Sequence, residues 1–190
     1  PALAQSEQQV LVDQARLVIE DFMQDPNLDW LQENIAGSRG VLIFPEVVKA
    51  GFFLGGSGGR GLILAYDKKK QQWSSPAFCS LGQISWGLQV GAQKMQVVML
   101  IRSSSALDSL LDGSLKLGAD MNVAAGPVGT GAGASVNLDS PFLSFAKTEG
   151  LFIGMSLEGS SLQNSSDWNE AYYDEPVTPR EIVIKDAVSN

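Results

Sequence analysis

The sequence predicts an α+β protein: a mainly antiparallel, Gly-rich curved sheet or barrel-like β domain, with N-terminal helices and one inserted helix. Three observations lead there. All 20 glycines lie between Gly37 and Gly159, which bounds the β-rich part. Within that span, short apolar runs are separated by glycine, proline and polar turn residues. Apolar residues recur at helical spacing in the first 35 residues and again after Ser105.

Leu11, Ala15, Val18 and Phe22 form one face of a first helix, with Ile19 beside them. The acidic Glu7, Asp13, Glu20 and Asp21 flank that face, so it reads as a stripe docked on the sheet rather than a membrane insert. Asp25-Pro26 reads as the N-cap and first position of a second helix, with Leu28, Leu31 and Ile35 as its stripe and Gly37 as its stop.

The block from Gly40 to Tyr66 is the most specific in the chain. Pro45 and the glycine cluster forbid one helix across it, so it reads as short strands joined by tight turns, Val41–Phe44, Gly51–Leu54 and Gly61–Tyr66. Further strands are expected at Gln83–Val90, Gln96–Ile101, Leu115–Ala124, Ala132–Leu138, Leu143–Ala146 and Leu151–Leu157. Alternation is clearest from Leu115 to Val123. Between strands, Ser105-Ala106-Leu107-Asp108 fits a capping box, with Leu107, Leu110 and Leu111 as the apolar face and Gly113 as the close. A polar loop is expected from Ser160 to Asn169, and Ile182 and Ile184 suggest an edge strand in the tail. The organisation is thus helices over 1–35, a β-rich domain over 36–175 and a tail over 176–190.

Composition narrows the function. The 190 residues carry no histidine, which removes Ser-His-Asp and Cys-His catalysis and imidazole metal sites. The single cysteine, Cys79, excludes an intrachain disulfide and any CxxC zinc site. No cofactor and no metal are expected. Asp167, Glu170, Asp174 and Glu175 gather near the C-terminal loop, but their spacing is not that of an EF-hand, and a solvated acidic loop is the favoured reading.

The net charge of −8 is unevenly spread: −6 over 1–35, +3 over 36–155 and −5 over 156–190. No broad basic stripe offers itself to nucleic acid. The mildly basic middle can still meet an anionic headgroup. Lys68-Lys69-Lys70 is the one basic run and sits where a hairpin turn is expected. It reads either as a solvated turn or as a contact with anionic lipid, worth about 1 kcal/mol per lysine. Lys49 and Arg60 flank the Phe52-Phe53-Leu54 run, and these residues complete the candidate lipid site: Lys49, Phe52, Phe53, Arg60, Lys68, Lys69 and Lys70. Phe52 and Phe53 face opposite ways in a strand, one to the core and one to a helix, solvent or bilayer.

Two glycine patterns resemble dinucleotide fingerprints: Gly56, Gly58 and Gly61, and Gly129, Gly131 and Ala134. A dinucleotide site needs a helix next, and both are followed by strand-like runs, so hairpin turns in a curved sheet are expected instead. At the start, Ala2-Leu3-Ala4 before Gln5 looks like the tail of a secretory signal peptide, which implies a periplasmic or secreted protein peripheral to a membrane.

Taken in order, the motifs resemble the SYLF domain family. They are Gly40-Val41-Leu42-Ile43-Phe44-Pro45, Val48-Lys49-Ala50-Gly51-Phe52, Gly55-Gly56, Gly59 with Gly61, Trp73-Ser74 with Pro76-Ala77, and Gly87, Gln89 and Gly91. Lys116 to Asp120, Ala125 to Gly129, Gly150 to Gly154, Ser156 to Gly159 and the stretch from Asn169 to Tyr173 follow. The resemblance implies binding to acidic membrane lipids, phosphoinositides in eukaryotic members, without catalysis, and in fungi a link to actin. The acidic first helix departs from the basic N-terminal helix of eukaryotic members, and suggests a bacterial or organellar envelope protein. Two readings therefore stand side by side: a non-enzymatic protein that associates with anionic lipid, and a scaffolding module that binds a protein partner through an apolar sheet face.

Overall fold

The computed structural model describes residues 6–51, 54–86, 92–129, 138–153 and 157–189. Among them the core of the molecule is one curled, half-barrel sheet, antiparallel in all but one pairing, with helices on it, the α+β class expected. The first helix, α1 (Glu7–Gln24), is capped by the Ser6 hydroxyl, which accepts from Gln9 N. Its Leu11, Ala15, Val18 and Phe22 are all buried against the sheet.

The second helix starts later than Asp25-Pro26 suggests. Asp25 closes α1, and its carboxylate accepts from Asn27 N at 2.9 Å, so the pair builds a turn rather than a helix start. Helix α2 (Asp29–Asn34) follows, then a 3₁₀ turn over Ile35–Gly37.

Strand β1 (Gly40–Gly51) is continuous through Pro45, where a bend between two strands was expected. The chain accommodates proline with a bulge: register shifts between Phe44 and Val47 against one neighbour, and between Ile43 and Val48 against the other. Val41 and Ile43 pack under α1, and Leu42 and Phe44 pack on the opposite face, each at most 2% exposed. A strand covered on both faces gives an unbroken apolar run, as Val41–Phe44 does.

Strand β2 (Leu54–Asp67) pairs with β1 and takes in Gly56, Gly58 and Gly61 as strand residues rather than turns. No helix follows it: β3 (Gln72–Trp73) does. A Cβ at Gly59 would stand 2.3 Å from Glu46 O, and one at Gly61 2.4 Å from Ile43 O, so these glycines let the bulged β1 lie close. Then come β4 (Ala77–Trp86), β5 (Ala92–Ile101), α3 (Ser104–Leu111), β6 (Ser114–Lys116), β7 (Val123–Ala125), β8 (Phe142–Thr148), β9 (Leu151–Ile153), β10 (Ser161–Asn164), α4 (Ser166–Tyr173) and α5 (Pro179–Val183). Spatial order is β6-β10-β4-β2-β1-β5-β8-β7, with β3 on β2 and β9 on β8.

Four expectations need correction. The alternating stretch from Leu115 to Ala124 is two short strands around a turn, because Gly118 takes a φ of +91° and Asp120 accepts from Lys116 N at 2.8 Å. The inserted helix is capped by Ser103 rather than Ser105. The polar loop after Ser160 holds β10, since a strand inserted between β4 and β6 needs few apolar residues and Leu162 alone is buried. Ile182 lies in helix α5, where Thr178 and Glu181 form a capping box that overrides the β-branched side chains. The expected strand Ala132–Leu138, the end of Gln83–Val90 and Ala2-Leu3-Ala4 fall mostly or wholly outside the described residues.

Candidate functional site

The lysine run lies where the sequence puts it, in the turn between β2 and β3. Asp67 builds that turn: one carboxylate oxygen accepts from Lys69 N at 2.9 Å and Lys70 N at 3.2 Å. Gln71, at a φ of 53°, completes it. Tyr66 and Trp73 then face each other across the hairpin with ring centroids 5.0 Å apart. Lys68, Lys69 and Lys70 are all exposed.

Arg39 joins them from β1's start. Its N–H donates to Ile101 O at 2.8 Å, and its carbonyl accepts from Tyr66 N at 3.1 Å, which fixes it beside the hairpin. Arg39, Lys68 and Lys69 line a cleft of about 380 Å³, whose far wall is the first turn of α3 at Ser104 and the end of α5 at Val183 with its C-cap Ile184. The N-terminus of α3 adds a partial positive charge. The two carboxylates on the cleft are both engaged: Asp67 in its turn, and Asp108 with Arg180 at 3.2 Å. Arg39, Lys68, Lys69 and Lys70 form no ion pair with a described residue, whereas Arg16, Lys94, Lys147 and Arg180 each hold a carboxylate.

The other proposed lipid contacts do not converge on this cleft. Arg60 sits mid-strand, with its guanidinium 4.3 Å from the Trp168 ring centroid and hydrogen-bonded to Ser165 Oγ. It anchors α4 to the sheet. Lys49 pairs by backbone with Ser57 near the opposite end of β2, about 30 Å along the strand from Asp67. Phe52 and Phe53 lie outside the described residues.

A second cavity lies on the sheet's other face. It is an open groove of about 400 Å³ beneath α1. Val12, Arg16, Ile19 and Met23 of α1 form one wall. Val41, Ile43, Leu62 and Leu64 form the floor. Trp73, 37% exposed, and Pro76 close the side next to the lysine hairpin. Arg16 is the one charged residue on it. Sequence reasoning missed both Arg39 and this groove. The pairing of Gly40 with Ala65 brings Arg39 to the hairpin, and that register is not visible before the strands are paired.

The sequence pattern of the Ysc84 family, described as Las17-binding protein actin regulator, matches residues 82–190, more than half of the chain. The chain belongs to this family, the SYLF domain family. It is 36% identical over 154 residues to an SH3 domain-containing protein of Schizosaccharomyces pombe, covering 78% of this chain and 35% of that protein. It is 31% identical over 155 residues to the SH3 domain-containing YSC84-like protein 1 of Bos taurus, covering 80% of this chain and 45% of that one. Protein YSC84 of Saccharomyces cerevisiae is 32% identical over 151 residues, covering 77% and 32%. This SYLF chain therefore spans less than half the length of these relatives, all eukaryotic.

The end of the SYLF pattern serves the fold. Asn169 is fully buried, and its Oδ1 accepts from Phe78 N at 2.7 Å. The Tyr173 hydroxyl donates to Pro76 O, and burial raises its pKa. Tyr172 packs edge-on against Phe78 and bonds Gln9 of α1. Lys147 of β8 holds Asp21 at 3.0 Å and Asp25 at 3.6 Å, tying the end of α1 down; the hydrogen bond it donates to Asp21 raises its pKa. Burial pushes the Cys79 thiol up, which leaves it inert. Asp167, Glu170, Asp174 and Glu175 do not converge: among the described residues no three or more Cys, Asp or Glu side chains gather to hold a metal ion. Among those residues no helix is long and apolar enough to cross a membrane.

Proposed function

We propose that this SYLF chain is a non-catalytic binding module that takes a phosphate-bearing lipid headgroup in the cleft of Arg39, Lys68 and Lys69. The observation that carries this reading is the set of cations that form no ion pair among the described residues. In a chain of net charge −8, four such cations gather at one end of the sheet, three of them on a cleft beside a helix N-terminus. Exposed charge of this kind attracts an anionic surface at about 1 kcal/mol per residue. Flotation with anionic and zwitterionic vesicles in a salt series tests it. Binding should require the anionic lipid, weaken toward about 0.5 M salt, and fall about tenfold or more in the Arg39→Ala, Lys68→Ala, Lys69→Ala variant. Flotation unchanged in that variant would remove the cleft from the function.

A second reading has its own support. The family description names a Las17-binding actin regulator, which supports a protein partner for this chain. Co-sedimentation with filamentous actin in the same salt series separates the two. Sedimentation with actin that survives the triple variant, without vesicle binding, favours the protein-binding module.

A further inference from the structure

We infer that the groove beneath α1 takes the acyl chain of a single-chain anionic lipid whose headgroup lies in the Arg39–Lys68–Lys69 cleft. The inference rests on the headgroup reading above and adds where the tail goes. Four facts carry it. The groove and the cleft are neighbours across one hairpin: Trp73 lines the groove, Tyr66 lines the cleft, and their rings are 5.0 Å apart. The three lysines sit in the turn that joins those two residues. The two cavities differ in chemistry as the two ends of an amphiphile do: one has apolar walls, the other presents three cations with no ion pair among the described residues. The groove's volume of about 400 Å³ is that of a small-ligand pocket, which suits one chain rather than two.

The rim agrees with this polarity. Arg16 is the single charge on the groove, and its partner Asp13 stands 3.7 Å away, a loose and exposed pair. A guanidinium there keeps its stem on the apolar wall and its head in water. An acyl chain thus lies along the apolar wall, and its anionic end meets positive charge at the hairpin. Charge complementarity separates this occupant from an apolar helix of a partner, which needs no cluster of cations at one end. It also explains an exposed tryptophan beside a lysine turn: an indole ring suits the boundary between a wet headgroup and a dry tail.

Trp73 supplies the test. A lysophosphatidate whose stearoyl chain carries two bromines is titrated below its micelle concentration into the intact chain. Bromine quenches a tryptophan it touches. The expected result is saturable quenching that is lost in Trp73→Phe although Trp30, Trp86 and Trp168 remain in place, and that weakens at least fivefold in Val12→Phe, which fills the groove. Thermal melts confirm that both variants fold. The brominated lysophosphatidylcholine should bind about tenfold more weakly, and glycerol phosphate should cause no quenching. Lipid binding measured by dialysis with no Trp73-dependent quenching overturns the groove and leaves the headgroup reading standing. Quenching that survives neutralisation of Arg39, Lys68 and Lys69 keeps the groove and overturns the headgroup assignment. No binding of any probe overturns both. A concentration-dependent dimer with unquenched Trp73 means that a second copy covers the groove, and overturns the inference.

Discussion

Single atoms decide how closely β1 and β2 lie. A methyl group at Gly61 meets a backbone oxygen and the Phe44 ring at 2.4 Å, whereas one at Gly82 meets nothing within 4 Å. Gly61→Ala should therefore destabilise by about 1–3 kcal/mol, the usual cost of overpacking, and Gly82→Ala should leave the melting temperature almost unchanged. Equal melting of the two variants would mean that the strands separate freely at the bulge. Asn169 makes a second case. Asn169→Ala removes the acceptor of a buried Phe78 N–H, at about 1–3 kcal/mol in urea titration. Both residues were visible in sequence as pieces of a family pattern. Their roles were not, because a strand glycine and a buried amide acquire meaning only from the atom opposite, here Ile43 O and Phe78 N.

Among the elements, helix α1 was the most legible. Its stripe repeats at the helical period, and Leu11, Ala15, Val18 and Phe22 are the residues it buries. Phe22→Asp places a charge at a position with no exposure and should lower stability by at least about 3 kcal/mol, read as a falling melting temperature. Vesicle affinity of the folded fraction should barely change through the cleft, since Phe22 and the lysine hairpin lie on different elements. Short elements were the least legible. β10 is four residues with one buried side chain, so its strand character comes from the neighbours it joins. The lysine hairpin was placed correctly because turn chemistry is local: Asp67 and the following lysines carry it themselves. The cleft around it was not, since Arg39, Ser104 and Val183 come from three distant segments.

For the whole molecule, the titration of three groups sets an alkaline limit. Lys147 is raised by its bond to Asp21, and Tyr172 and Tyr173 are raised by burial. Each raised pKa leaves the folded state holding protons that the unfolded chain releases above about pH 10. Their contribution is therefore intact below that pH and lost as pH rises through the folded values. Melting temperature should fall above about pH 10, and less steeply in Tyr173→Phe. An unchanged slope in that variant would assign the loss to Lys147 and Tyr172. The sheet's order carries a kinetic consequence as well. β10 lies between β4 and β6, and Phe78 waits for Asn169, 91 residues further along. A nascent chain thus carries β4 with one side unpaired until Ser161–Asn164 has emerged. Such distant pairing slows folding, and an open strand edge invites association with other chains. Pulse-labelled hydrogen exchange during refolding should show the outer amides of β4 protected last. Chains halted before Ser160 should depend on a chaperone to stay dispersed.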